Sequence, residues 1–157
     1  MTMPFPGHAA GGGGGGGNPT QEFFTPVCGV LNGVMGTSNG WTYADLNASG
    51  EKGLTSFYIP DDYSSLTEAT IWIHAIGGGA AENWDIDSNY AADGEAYNQH
   101  TESDTGTTYN VTGNTMYEID ASGILTGIAA GDYCTVTLTS ATTGHDCRVI
   151  GVRIKYQ

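Results

Sequence analysis

DYCTVTLTSATTGHDCRVIGVRIKY, residues 132–156, decides the fold. In its first part Cys134, Val136 and Leu138 alternate with Thr135, Thr137 and Thr139, the period-two pattern of a strand with one face on a core. After an interval rich in turn residues the pattern resumes: Ile150, Val152, Ile154 and Tyr156 share a face, with Arg153 on the opposite one. Two such runs with turn chemistry between them read as strands and not as helix. Under strict alternation Cys147 falls on the face opposite Ile150, so without a bulge its sulfur points away from that of Cys134. The three cysteines, Cys28, Cys134 and Cys147, match neither a disulfide framework nor a zinc ligand set and read as small buried apolar residues.

The same texture extends upstream. VCGVLNGVMGTSNG (27–40) is Gly-interrupted and apolar, GLTSFYIP (53–60) alternates, and ATIWIHAIGGG (69–79) is an apolar run closed by glycines. EAYNQHT (95–101), GTTYNVT (106–112) and NTMYEIDA (114–121) bring the expectation to roughly seven to nine strands. Helix signals are confined to PDDYSSL (60–66), a single turn opened by Pro60, and SGILTGIAAGD (122–132), which is short and broken by glycine. The chain therefore reads as all-β, a jelly-roll-like antiparallel β-sandwich over residues 50–157. Residues 27–49 form a connecting segment with a candidate first strand.

Residues 1–26 read as an extended Gly/Pro-rich N-terminal arm. MTMPFPG, a run of seven glycines at 11–17, NPTQ and FFTP exclude helix and central strand alike. A glycine tract loses much backbone freedom on ordering and has no side chains with which to recover it. The arm is thus expected to become ordered only in the grip of other polypeptides, with Phe5, Phe23 and Phe24 as apolar anchors around the slack.

A chain of 157 residues suits one domain. Charged residues make up only 13%, about half the usual share. Against four basic residues stand 17 acidic ones, and the resulting net charge of −13 repels phosphate backbones and anionic lipids, which argues against nucleic-acid and membrane partners. No apolar run approaches the length of a membrane span, and the first residues lack the basic start and apolar stretch of a signal peptide, so synthesis in the cytoplasm is expected. The sequons Asn47-Ala48-Ser49 and Asn110-Val111-Thr112 read as coincidences in a chain rich in Asn and Thr.

No catalytic constellation is legible. His8, His74, His100 and His145 are dispersed, and none sits beside a Ser or Cys in a nucleophile turn, so the protein reads as a non-enzyme. His74 alternates with Trp72 and Thr70 on one strand face, the place of a packed or interface histidine. DIDSNY (85–90) begins like a calcium loop, but Tyr90 and Ala96 stand where such a loop needs glycine and glutamate. It reads as a solvated acidic loop, and neither metal nor other cofactor is expected. The glycines at 77–79 lack the lysine and helix of a phosphate loop.

Two other residue sets point toward partners. Trp41, Trp72 and Trp84, with nine tyrosines on a Gly/Asn/Thr-rich scaffold, suit a stacking platform for sugar rings. Trp41 and Trp84 are the candidate glycan contacts, Trp84 being expected at the surface beside Asp85. Arg148, Arg153 and Lys155, three of the four basic residues, fall in the last ten positions and give the final strand a positive stripe. They are candidate contacts to a neighbouring subunit's carboxylates.

FYIPDDYSSLTEATIWIHAIG (57–77), YAADGEAYNQHTES (90–103), YEIDASGILTGIAAGDYCTVTLT (117–139) and VIGVRIKYQ (149–157) together resemble a β-sandwich domain of tailed-phage virion structural proteins, over residues 50–157. The resemblance implies a capsid decoration (cement) protein, head fibre or tail-associated domain on the virion surface. It further implies a homo-oligomer, a trimer by preference, held on the major capsid or another virion protein by its N-terminal arm. The alternative is a carbohydrate-binding or receptor-binding β-sandwich module of a tail or head fibre. Clustered solvent-facing rings would mark the alternative; rings covered by other chains would mark the clamp.

Overall fold

The computed structural model describes residues 19–141 and 147–157. Within them eleven strands form two antiparallel sheets stacked as a jelly-roll-like sandwich. The front sheet has the order β3 (Val34–Ser38), β4 (Trp41–Leu46), β11 (Cys147–Tyr156), β6 (Leu66–Ala75), β9 (Thr115–Asp120), with β1 (Gln21–Pro26) also paired to β11. The back sheet runs β2 (Gly29–Leu31), β5 (Lys52–Tyr58), β10 (Tyr133–Ser140), β7 (Gly79–Ala91), β8 (His100–Val111). A single 3-10 turn at Ser122–Ile124 is the only helical element among the described residues.

The core lies between the sheets. From the front come Ile71, Ile73, Val149, Val152 and Ile154; from the back come Phe57, Trp84, Ile86, Val136 and Leu138. Each is almost wholly withdrawn from water, and burial of a side chain of this size contributes about 1.5–3 kcal/mol.

The deciding strand departs from strict alternation. The β11–β6 register shifts between Val149 and Gly151, leaving Ile150 as an extra residue. Such a bulge reverses the facing of everything beyond it. Cys147 therefore faces the core with Val149, and Ile150 turns outward, the reverse of the sequence expectation for both. Cys134 and Cys147 are buried and free in different sheets, one opposite Phe57 and the other opposite Leu46. Burial, followed by the charge of Asp132, pushes the Cys134 thiol up to about 12. The fully buried Cys147 thiol is likewise raised, first by burial and then by Asp45 and Glu82.

The bulge also marks where β11 changes partner on one edge. Cys147–Val149 pair with β4, whereas Gly151–Tyr156 pair with β1. At the junction the Val27 amide donates to the Ile150 carbonyl at 2.8 Å. Gly151 makes the closure possible, because a Cβ there would run into the Thr25 carbonyl and lie 2.7 Å from the tip of the Phe24 ring.

Several expected boundaries move. Residues 21–26 belong to the sandwich and not to a free arm: Phe23 meets Phe57 and Tyr156 edge-on, with ring centroids 5.7 and 6.1 Å apart. At the start of β1 the Gln21 amide donates to Asp62 at 2.8 Å. The segment 27–49 is no connector, since it supplies β2, β3 and β4. Asn32 and the Asn39-Gly40 pair, all at positive φ, break what reads as one glycine-interrupted strand; Asn39-Gly40 is the two-residue turn of the β3–β4 hairpin. DIDSNY is strand, not loop. Ile86, Ser88 and Tyr90 point inward, and Asp85, Asp87 and Asn89 outward. Phe5, His8, the glycine run and His145 lie outside the described residues.

Candidate functional site

The outer face of the front sheet carries a groove of about 460 Å³, whose walls include Phe24, Pro26, Trp41, Trp72, Ile150 and Arg153. It continues into a hollow of about 210 Å³ that shares Trp41 and Ile150 and adds Tyr43, His74, Asn114 and Arg148. Local structure explains the composition. The alternation of β4 sends Ala44 and Leu46 to the core and leaves Trp41, Tyr43 and Asp45 toward the outer side. On β6 Ile71, Ile73 and Ala75 point in, leaving Trp72 and His74 out. The bulge turns Ile150 out to form the floor between the two hollows. Phe24, next to the inward Phe23, closes the wall from β1.

Trp41 is the most open ring of the groove, 49% exposed at the β3–β4 turn. Trp72 is half-buried, and its indole nitrogen is shielded from water with no hydrogen-bond partner among the described residues. Arg148 places its guanidinium 4.2 Å from the centroid of the Tyr43 ring and 3.7 Å from Asp45. Arg153 lies 5.7 Å from the Trp72 centroid and binds Glu68 at 2.5 Å and Glu118 at 2.6 Å. Lys155 binds the second oxygen of Glu68 at 2.7 Å. Hydrogen bonds from Lys155 and then Arg153 hold the Glu68 carboxyl below the usual carboxylate range. His74 Nε2 is 3.2 Å from the Asn114 amide oxygen, which fixes the ring at the end of the hollow.

Three cations thus face three carboxylates of the same chain. The positive stripe read from the sequence is real as a row of residues, but it is neutralised internally by Asp45, Glu68 and Glu118. Long side chains locked by such pairs present donors in fixed positions and little net charge.

The structure separates the two candidate glycan residues. Trp41 stands at the groove. Trp84 is 2% exposed, stacked on Tyr109 with centroids 5.2 Å apart; the expectation of an exposed ring there is corrected. Its strand alternates with Trp84 and Ile86 inward, so the neighbouring Asp85, not the indole, meets solvent. Of the arm anchors, Phe23 is taken up by this chain's own core, and Phe24, 45% exposed, forms a groove wall. Tyr43, Asp45, Asn114, Ile150 and Glu118 escape the sequence reading as site members, whereas Trp72 already stands there among the candidate platform rings. The alternation WTYADL was the available signal for the first two; a bulge and cross-strand neighbours, invisible in one dimension, place the others. Among the described residues no group of three or more His, Cys, Asp or Glu side chains converges, and Asp85 accepts the Gly106 amide at 2.8 Å.

The scaffold has known counterparts. No protein-family model matches the chain, and no curated protein matches it. Among solved structures it is similar to the CBM36-1 domain of a multidomain xylanase from the hindgut metagenome of Trinervitermes trinervoides, with 14% identity, 85% of this chain and 96% of that one covered, and a TM-score of 0.51. A CBM36 carbohydrate-binding module in complex with calcium and xylotriose gives 15% identity over 84% and 97% of the chains, with a TM-score of 0.40. The family 11 carbohydrate-binding module of Clostridium thermocellum, in complex with a β-1,3-1,4-mixed-linked tetrasaccharide, gives 10% over 89% and 90%, with a TM-score of 0.45. At these identities the likeness is one of fold: a β-sandwich of the kind found in carbohydrate-binding modules.

Proposed function

We propose that this protein is a non-catalytic carbohydrate-binding module that holds a neutral glycan chain in the front-sheet groove. The carrying observation is the half-exposed Trp41 ring at the junction of two hollows whose other walls are aromatic or hold fixed polar groups. A pyranose offers an apolar C–H face for such a ring and hydroxyls around its rim for Arg148, Arg153, His74 and Asn114. Because each groove cation already has a carboxylate, and the chain carries a net charge of −13, an acidic polysaccharide would meet repulsion without a compensating free cation. The fold similarity to the xylanase CBM36-1 domain supports the scaffold; the groove's own chemistry supports the ligand class.

Affinity electrophoresis of the full chain in gels containing soluble neutral polysaccharides tests the reading. Retardation by at least one neutral glycan is expected, with a loss of about tenfold or more in affinity for Trp41→Ala at unchanged circular dichroism. An unretarded wild-type protein across a panel of glucans, xylans, mannans and galactans would overturn it.

The phage setting implied by the sequence resemblance remains a second reading, favoured by the sequence stretches in 50–157 that carry that resemblance. A module of this kind on a head or tail fibre would engage glycans of the host surface. Of the clamp version's three anchors, Phe23 and Phe24 are engaged by this chain's own sandwich and Phe5 lies outside the described residues; mass measurement of the native assembly tests the trimer and the capsid partner.

A further inference from the structure

We propose that the outer face of the back sheet is a second glycan-binding surface, so that one module holds two neutral polysaccharide chains, one on each side of the sandwich. The proposal rests on the groove being a glycan site and extends it to a face that shares no residue with it.

Tyr58 and Tyr133 are directly opposed on β5 and β10 and remain 52% and 60% exposed. Directly opposed side chains stand about 5 Å apart at Cβ, so the two tyrosines leave the sheet side by side and together offer an aromatic platform at its end. Ala91 of β7, paired with Tyr133 on its other side, leaves the platform open. The Tyr58 hydroxyl donates to Asp61 at 2.6 Å, which fixes that ring before any ligand arrives.

From this platform the face runs through Ser56, Thr135, Asn89 and Thr101, consecutive across four strands, with the Ser56 and Thr135 hydroxyls 3.1 Å apart. Asn89 and Thr101 themselves border a hollow of about 360 Å³ that also includes Lys52, Leu54, Asp87, Ser103 and Thr137. Exposed sheet faces ordinarily intersperse charges of both signs. Here, in a chain with 17 acidic residues, the strand positions of these two rows carry none; charge enters only at their borders, at Asp61 beside Tyr58 and at Lys52 and Asp87 in the hollow. Glu102, next along β8, turns its carboxylate away to Tyr90 and Thr126. A tyrosine pair, one ring of it fixed by Asp61, leading into rows of hydroxyl and amide groups complements a neutral chain of pyranoses, which offers C–H faces and hydroxyls in turn.

The test uses the full chain and whichever soluble neutral polysaccharide retards it. Calorimetric titration with an oligosaccharide of that polymer is expected to give two sites per chain. Tyr58→Ala/Tyr133→Ala, or Thr101→Arg at the exposed rim, should halve the stoichiometry and leave the groove site intact; Trp41→Ala should remove the other half. The wild type should also cross-link the polymer, raising turbidity, and each single-face variant should not. One site per chain, abolished by Trp41→Ala and untouched by the tyrosine and Thr101 variants, would overturn the second surface while leaving the groove standing. Absence of any heat with the wild type would remove both.

Discussion

The guanidinium of Arg148 lies 4.2 Å from the centre of the Tyr43 ring, and this contact joins two strands that are far apart in the chain. Tyr43 itself covers Gly36 of β3, where an added Cβ would lie 2.7 Å from the ring. A three-strand stack of glycine, ring and cation therefore forms one end of the groove, with Asp45 balancing the charge.

Arg148→Lys keeps the charge and loses the flat stack. Cation–π contacts at partly exposed sites contribute about 0.5–1 kcal/mol, so urea unfolding should show a loss of that order together with weaker glycan retardation. Unchanged stability and retardation would mean that the stack is incidental to both.

Gly151→Ala forces a methyl group against the Thr25 carbonyl and the Phe24 ring. Neither β1 nor β11 can yield without breaking their ladder, and overpacking of this kind costs about 1–3 kcal/mol. The expected outcome is a lower Tm with weakened binding, because the Phe24 wall moves as β1 moves. A variant as stable as the parent would show that β1 is loosely held.

Glu102 couples stability to pH. Its Oε2 accepts the Thr126 amide at 2.8 Å, and its Oε1 accepts the Thr126 hydroxyl at 2.6 Å and the Tyr90 hydroxyl at 2.8 Å. Burial opposes ionisation, but these bonds outweigh it and hold the carboxyl below its ordinary value. For Tyr90, burial and then Glu102 push the phenol up to about 12. A depressed carboxylate stabilises the fold above its unfolded pKa of about 4.3 and loses that contribution as pH falls through the folded value. Unfolding free energies from pH 6 to 3 should fall more steeply for the wild type than for Glu102→Gln below about pH 4. Parallel curves would show that the latch is not ionised in the way its geometry implies.

The thiols differ in access. Cys28 is exposed, and Cys134 and Cys147 are buried; only the thiolate reacts, and burial suppresses it. Titration with a disulfide reagent at pH 8 should label one thiol at once and the other two only on denaturation. Immediate labelling of all three would contradict the packing of β10 and β11.

The acid pairs on the front face also explain why the final strand misleads a reader of sequence. Arg153 and Lys155 look like surplus positive charge in an acidic chain, yet Glu68 and Glu118, which neutralise them, come from β6 and β9. Nothing local announces those partners.

Sequence alone determined the elements whose signal is local: the two-residue period of 133–139, of 53–58 and of 69–75, the scarcity of helix, and hence a β-sandwich. A side chain's facing along a strand is set by its neighbours in the chain, so those segments are legible one residue at a time. Tertiary structure decided what depends on the strand next door. It set the bulge that turns Ile150 out and Cys147 in, the recruitment of Gln21–Pro26 into the sheet, and the strand identity of DIDSNY. It also decided that Trp41 meets solvent while Trp84 is buried. Hydrogen-bond ladders and sheet stacking are pairings between residues distant in the chain, and their register is fixed only when the sheets close on a common core.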